Sequence, residues 1–399
     1  MSRIEFLSLG KQPIANAFLK DKKQEEYFFD LAVQFDTESK IVSLVNLVEK
    51  EKLFNETYVY DSSMSNTMVE HFQKTARYLG DRIHPKTVLE IGSNSGIFIN
   101  NFDKDSTFAV EPCANFAERT NEMGYKTYPE FWNKEMSQKI VENHGKIDLV
   151  YAANCFCHIP EIDEVFQSAH NVLSSDGVLV FEDPTLLSMI VNNSFDQIYD
   201  EHVYIFSVVA LNEVLKRNGM KLWCVENLPK IHGGSNRIYA VKDDSKRFRF
   251  VDGSVRNHVQ MESSSAYDLN KTETYFEFSS RVKDNVHNLL WFLEGEKKEG
   301  KRIIGYGATS KSTVVFNYAG LGTDIFDCIV DTTPEKQGTF SPGKHIPVVS
   351  PEEGLKEKAD LAFLGAWNFT DEIRKKELER MRGGMKLVTH VPNLKVLSV

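Results

Sequence analysis

Thr87-Val-Leu-Glu-Ile-Gly-Ser-Asn-Ser-Gly-Ile-Phe98 is the stretch from which the rest of this 399-residue chain is read. A β-branched run, Thr87–Ile91, meets Gly92-Ser93-Asn94-Ser95-Gly96 and passes into a helical pattern, Ile97-Phe98-Ile99. Strand, tight glycine turn and helix start make the first βα unit of a doubly wound sheet. Gly92 and Gly96 let backbone pass close to a ligand where a Cβ would collide. Glu90, just before the turn, is acceptor-only when ionised and suits an ammonium or a hydroxyl. A second acid, Glu111, ends the next run, Thr107–Val110, where a ribose diol would lie. The spacing differs from G-x-G-x-x-G, whose tighter turn serves a pyrophosphate.

Outward from this unit, strands are expected at Ile147–Ala153, Gly177–Glu182, Met220–Glu226 and Arg237–Val241. Helices are expected at Cys113–Met123, Glu161–Leu173 and Val208–Asn218, so residues 71–245 read as a parallel sheet covered on both faces. The last two strands are separated mainly by a loop, which suits an antiparallel hairpin. Residues 1–70 form a small N-terminal module with strands between Tyr27 and Val48, and Asp61, Ser62 or Ser65 is placed to cap the next helix. A polar stretch runs from Asp243 to Ser265, and residues 246–298 read as a polar linker and a bracing helix striped by Phe278, Val282, Val286, Leu290 and Leu293. Residues 299–399 open a second, Rossmann-like α/β unit at Arg302–Ser310, with strands at Ile325–Val330, Leu361–Leu364 and Met385–Thr389.

The totals exclude several classes. A formal charge of -10 with no long Lys/Arg run argues against a nucleic-acid surface. No apolar stretch approaches ~18 residues and the N-terminus has no leader pattern, so a cytoplasmic protein without membrane contact is expected. Five scattered cysteines fit a reducing compartment. Cys155-Phe-Cys157-His158 has no second Cys/His pair near it in sequence, and reads as a strand end with buried thiols rather than a metal site.

Three further groups carry chemistry. Tyr199-Asp200-Glu201-His202 follows the strand ending at Glu182-Asp-Pro184, where loops face the ligand crevice. An acid beside an imidazole can tune a general base. His232-Gly233-Gly-Ser235-Asn-Arg237 is a glycine loop whose N–H groups and guanidinium suit an anion, or is a plain tight turn. Gly305-Tyr-Gly307-Ala-Thr-Ser310-Lys311 has Ser310 in place of a third glycine. Its Lys311, at a helix start, and Lys336, after Asp331, suit a phosphate.

Taken in order, these motifs, with Pro13-Ile-Ala-Asn16, Asn154–His158 and Ala366-Trp367-Asn368, resemble the SAM-dependent C-methyltransferases that act on nucleotide-linked keto sugars in deoxysugar pathways. The resemblance covers nearly the whole chain. It implies a class I S-adenosyl-L-methionine (SAM) methyltransferase sheet between the N-terminal module and the Rossmann-like domain. It places the family's proton-abstracting histidine on His202, with Glu201 and Tyr199 beside it. SAM contacts fall on Glu90, Gly92, Ser93, Asn94, Gly96 and Glu111, with Asn154 and His158 on the pocket wall. Substrate contacts are expected from Tyr58, Tyr60, His232, Gly233, Ser235, Arg237, Lys311, Lys336, Trp367 and Asn368. Two departures stand out. The family's N-terminal zinc cysteines are missing, since no cysteine precedes Cys113, and its Y-H-E-H reads Tyr199-Asp-Glu-His202. The rival expectations are O- or N-methylation of a related sugar nucleotide, an NAD-linked oxidoreductase built on the Gly305 turn, and a non-catalytic sugar-nucleotide binder.

Overall fold

In the computed structural model, which describes residues 2–399 apart from Thr57 and Ser265, the strands gather into three sheets. Ser265, the end of the expected polar linker, lies outside the described residues. β1 (Arg3–Pro13), β2 (Phe28–Asp36) and β3 (Val42–Leu44) pair antiparallel. In β2, Phe29, Leu31, Val33 and Phe35 alternate onto a buried face, as a half-buried strand requires. β1 escapes a sequence reading because register shifts between Glu5 and Leu7 and between Ser8 and Lys11 break its alternation. A short helix, α1 (Lys50–Leu53), leads to α2 (Asn66–Ile83). Ser65 caps α2 by accepting the Met68 N–H, whereas Asp61 caps the 3-10 turn Ser62–Met64.

The central unit continues with β4 (Val88–Ile91), β5 (Thr107–Val110), α3 (Ala114–Glu122), β6 (Lys126–Tyr128), α4 (Lys134–His144), β7 (Ile147–Ala153), α5 (Ile162–Val172) and β8 (Leu173–Pro184). α6 (Leu186–Val191), β9 (Tyr204–Ile205), α7 (Val208–Arg217), β10 (Met220–Leu228) and β11 (Ser235–Lys242) complete it. The sheet order is β10-β11-β8-β7-β4-β5-β6, parallel except for β11, which runs antiparallel to β8 and β10. Two apolar clusters cover its two faces. The α-helix expected after Gly96 is replaced by 3-10 turns at Ile99–Asn101 and Lys104–Ser106. There the Asn101 side chain donates to the carbonyls of Ile97 and Phe98 (2.8 and 3.1 Å), a local bond that competes with helix.

The linker also differs from expectation. It contains α8 (Gly253–Glu262), which packs on the central unit through Val255. Glu262 caps α7, accepting the N–H groups of Val208 and Val209 at 2.8 and 2.9 Å. α9 (Thr272–Lys298) is the expected brace. Phe278, Val282 and Leu293 are buried with Tyr275 and Leu289, while Val286 and Leu290 flank them. β12 (Ile303–Tyr306), β13 (Ile329–Val330), β14 (Val348–Val349), β15 (Leu361–Leu364), β16 (Lys386–Thr389) and β17 (Lys395–Leu397) form the third sheet, ordered β14-β13-β12-β15-β16-β17, with α10 (Ser310–Ala319) following β12.

The N-terminal module holds together by packing rather than by cysteine ligation. Tyr275 stacks on Phe35 and lies against Phe6, with ring centroids 4.3 and 4.9 Å apart. β9, from the central unit, pairs with β3 as the fourth strand of the N-terminal sheet. One apolar cluster therefore joins Phe6, Val33, Phe195, Ile198, Phe278 and Phe316 across all three units. Among the described residues no helix is long and apolar enough to cross a membrane.

Burial pushes the carboxyls of Asp183 (ordinarily 3.8) and Glu262 (ordinarily 4.5) up to about 7. At these two groups the folded chain keeps protons that the unfolded chain releases, so their contribution to stability falls as pH rises through the window from about 4 to about 7. Asp183→Asn, which cannot ionise, is expected to flatten that fall. Urea melts at about pH 5 and about pH 8 test this; an undiminished slope in the variant would assign the pH dependence to other groups.

Candidate active site

The C-terminal ends of β4, β5 and β7 open onto one crevice of about 390 Å3 that continues to the end of β12. β4 lies between β5 and β7, so this is the switch point of the sheet, where the crevice forms. Gly92, Ser93 and Asn94 line it, as do Glu90, Glu111, Asn154 and His158. Gly92 has φ +73, and an added Cβ would sit 3.0 Å from Cys155 Sγ. Gly96 lies outside the lining: its absent Cβ makes room for the Thr120 methyl at 2.8 Å, not for a ligand. Asn94 turns its side chain away to receive Ser62 N–H (3.0 Å) and to donate to the Tyr60 carbonyl (2.9 Å). It thus pins the Tyr60–Ser62 segment over the glycine turn.

Glu111 accepts the backbone N–H groups of Asn94 and Cys113 at 2.7 and 2.9 Å. Glu90 is different. Its Oε2 is buried without a partner, and burial raises its pKa well above the ordinary carboxylate range. The Ser93 hydroxyl is also buried and unpartnered. A cationic ligand with an ammonium group would satisfy that carboxylate, and the donor set fits one.

The middle of the crevice is built by the excursion between β8 and β9. It leaves and returns at one point, where Leu186 N–H donates to the Phe206 carbonyl at 2.8 Å. His202 is 5% exposed, and its Nδ1–H donates to the Gln197 carbonyl at 2.7 Å. Among the described residues Nε2 has no hydrogen-bond partner, so its lone pair is free. The ring lies between Tyr199 (4.0 Å) and His158 (5.3 Å). Burial, reinforced by the neighbouring His158 and Lys311, holds its pKa well below the ordinary 6.5. Glu201 does not orient it, contrary to the sequence expectation. Glu201 instead accepts Asn16 Nδ2–H (2.7 Å) and Tyr58 O–H (3.1 Å), while Asp200 accepts the Ala15 N–H (3.2 Å). Of the two tyrosines, Tyr58 therefore points inward to Glu201; Tyr60 is 39% exposed at the rim.

Toward β12, Lys311 lines the crevice at the start of α10, and burial lowers its pKa despite nearby Asp196 and Glu201. Among the described residues its ammonium has no hydrogen-bonded or ion-paired partner. Lys336 donates to the Ala308 carbonyl at 2.7 Å, and Asn368 lines the same end. Asp331 receives the N–H groups of Ala308 (2.7 Å) and Thr333 (2.8 Å), as Glu111 receives two in the first unit.

Only His232 of the His232–Arg237 loop lines the crevice. Arg237 is turned inward onto Glu182 (2.7 Å), Glu226 (3.0 Å) and Thr75 (2.6 Å), so it is not free for an anion. Ser235 O–H donates to the Ile231 carbonyl at 3.1 Å. Gly233 makes room for Trp367, which an added Cβ would meet at 2.3 Å. Trp367 Nε1–H donates to Asp196 at 2.6 Å, so it buttresses the turn before His202 rather than lining the crevice. Asn16, Phe54 (stacked on His158 at 5.4 Å), Asp196 and Gln197 have no assigned role in the sequence reading. Asn16 carried a signal as part of Pro13–Asn16, and Asp196 and Gln197 as part of the stretch Phe195–His202; Phe54 carried none.

Residues 60–225 match a methyltransferase domain family, and residues 230–392 match the C-methyltransferase C-terminal domain family. The chain is 30% identical to C-methyltransferase NovU of Streptomyces niveus over 407 residues, covering 99% of this chain and 94% of the relative. Among solved structures it is similar to the magnesium protoporphyrin IX methyltransferase of Synechocystis PCC 6803 with bound SAH (15% identity, TM-score 0.33, 44% of this chain and 83% of that one). It is also similar to a SAM-dependent methyltransferase of Thermotoga maritima (16%, TM-score 0.34, 44% and 91%).

Proposed function

The chain belongs to the C-methyltransferase family, and on that premise we propose that it methylates a carbon α to the ketone of a nucleotide-linked sugar, with His202 removing the proton. Its cofactor is S-adenosylmethionine, which supplies the methyl group from a sulfonium when bound. Glu90 would hold the cofactor's ammonium and Glu111 its ribose, with Gly92, Ser93, Asn94, Asn154 and His158 around them. The observation that carries the reading is the His202 tautomer. Nδ1–H is fixed on the Gln197 carbonyl, so Nε2 offers a lone pair on a ring that lines the crevice.

An α-proton is acidic enough for a positioned base, and burial keeps His202 unprotonated and ready. Tyr199 and His158, the rings on either side, are placed to donate to the developing enolate oxygen. Glu201 positions rather than reacts: it ties Asn16 and Tyr58 to the base segment. Holding carbon and methyl in line is worth up to ~7–11 kcal/mol. Lys311, with Lys336 and Asn368, would hold the substrate's phosphates, a role the unpaired ammonium of Lys311 supports.

Lys311→Ala is therefore expected to raise KM for the sugar nucleotide roughly tenfold or more, the cost of one charge-assisted bond, and to leave SAM affinity unchanged. Steady-state kinetics and SAM titration of the same variant check both halves. The reaction type is tested in D2O with a panel of keto-sugar nucleotides: C-methylation exchanges the α-hydrogen, whereas O- or N-methylation does not. Retention of that hydrogen, with a methylated product by mass spectrometry, would replace this reading by the hydroxyl or amine one.

A further inference from the structure

The fold brings a second histidine to the Cys-x-Cys-His stretch. Cys157, His158 and His202 each present a ligand atom, and the three atoms lie within 4.8 Å of one another. His158 Nε2 is buried without a hydrogen-bond partner. His202 donates its other ring N–H to a backbone carbonyl, the arrangement that fixes a metal-binding tautomer. Among the described residues no other His/Cys/Asp/Glu group is so gathered.

We propose that Cys157, His158 and His202 form a binding site for a thiophilic divalent cation of the Zn2+ class, which occupies the lone pair of His202 when bound. A thiolate with two imidazoles is a borderline-soft donor set that selects such ions over Mg2+ or Ca2+. Zinc ligands sit roughly 2.0–2.3 Å from the ion, so the three ligand atoms must draw together on binding; His158 is held by stacking on Phe54 and His202. On binding, the Cys157 S–H bond breaks, its proton leaves to solvent, and sulfur bonds the cation. Site formation does not depend on how the enzyme works, but its consequence, loss of methyl transfer, rests on His202 being the base.

Titrating the full-length chain with Co2+ tests the site directly. The expected result is one equivalent bound with a thiolate-to-cobalt charge-transfer band, displaced by Zn2+. Cys157→Ala and His202→Gln lose the band, and His158→Gln, a second route should Cys157→Ala fold poorly, also loses it. Cys157→Ala retains turnover with the keto-sugar nucleotide and becomes insensitive to Zn2+. Co2+ bound without the band, or a band that survives Cys157→Ala, overturns the site. Full turnover by the cation-loaded enzyme overturns His202 as a ligand. Failure of the base assignment is read separately, from His202→Gln in the absence of metal.

Discussion

His202→Gln is expected to lower methyl transfer by roughly 10^2–10^4-fold, the usual contribution of a general base, with SAM affinity unchanged. Glutamine can keep a hydrogen bond to the Gln197 carbonyl but has no group that accepts a proton at neutral pH. Because burial, with His158 and Lys311 nearby, holds the imidazole well below 6.5, the base form persists on the acid side of neutrality. In the wild type kcat/KM should hold level through about pH 6.5 rather than halve there as with an unperturbed histidine. Labelled-methyl incorporation and calorimetric SAM binding separate chemistry from cofactor affinity. A variant that turns over normally would move the base to another residue, with His158 the nearest candidate.

Arg237→Met is expected to destabilise the protein by about 3–5 kcal/mol, the cost of leaving a buried ion-pair partner uncompensated. The Arg237 and Glu182 side chains are 8% and 2% exposed, and Glu182 also meets His71 at 2.6 Å. Burial alone would raise the Glu182 pKa; His71 and Arg237 together hold it below the ordinary 4.5. Pairing the change with Glu182→Gln should recover part of the loss, because the orphaned charge is removed. Urea melts measure the stability. Unchanged stability with a raised KM for the sugar nucleotide would instead restore the guanidinium to the substrate.

What the sequence displays is what local periodicity encodes. β5, β7 and β15 appear where short apolar runs predict them, and the glycine turn after β4 borders the crevice. Where two signals compete, local reading fails. Bulges hide β1, Asn101 diverts the chain after Gly96, and α8 carries too few apolar residues to stand out from its polar surroundings. The site is hidden for another reason. Glu201 finds Asn16 across 185 positions and Arg237 finds Thr75 across 162, so whether a charged side chain faces ligand or core is decided by partners no short window contains.

The two-residue strand β9 bears on how this protein can be taken apart. Because Tyr204–Ile205, immediately after His202 and Val203, zips onto β3, the amino-terminal sheet is no detachable cassette. A truncation starting at α2 would strip the reactive imidazole's own backbone of its neighbour. Chimeras that graft a foreign amino-terminal segment should succeed only if the donor brings an edge that Tyr204–Ile205 can join.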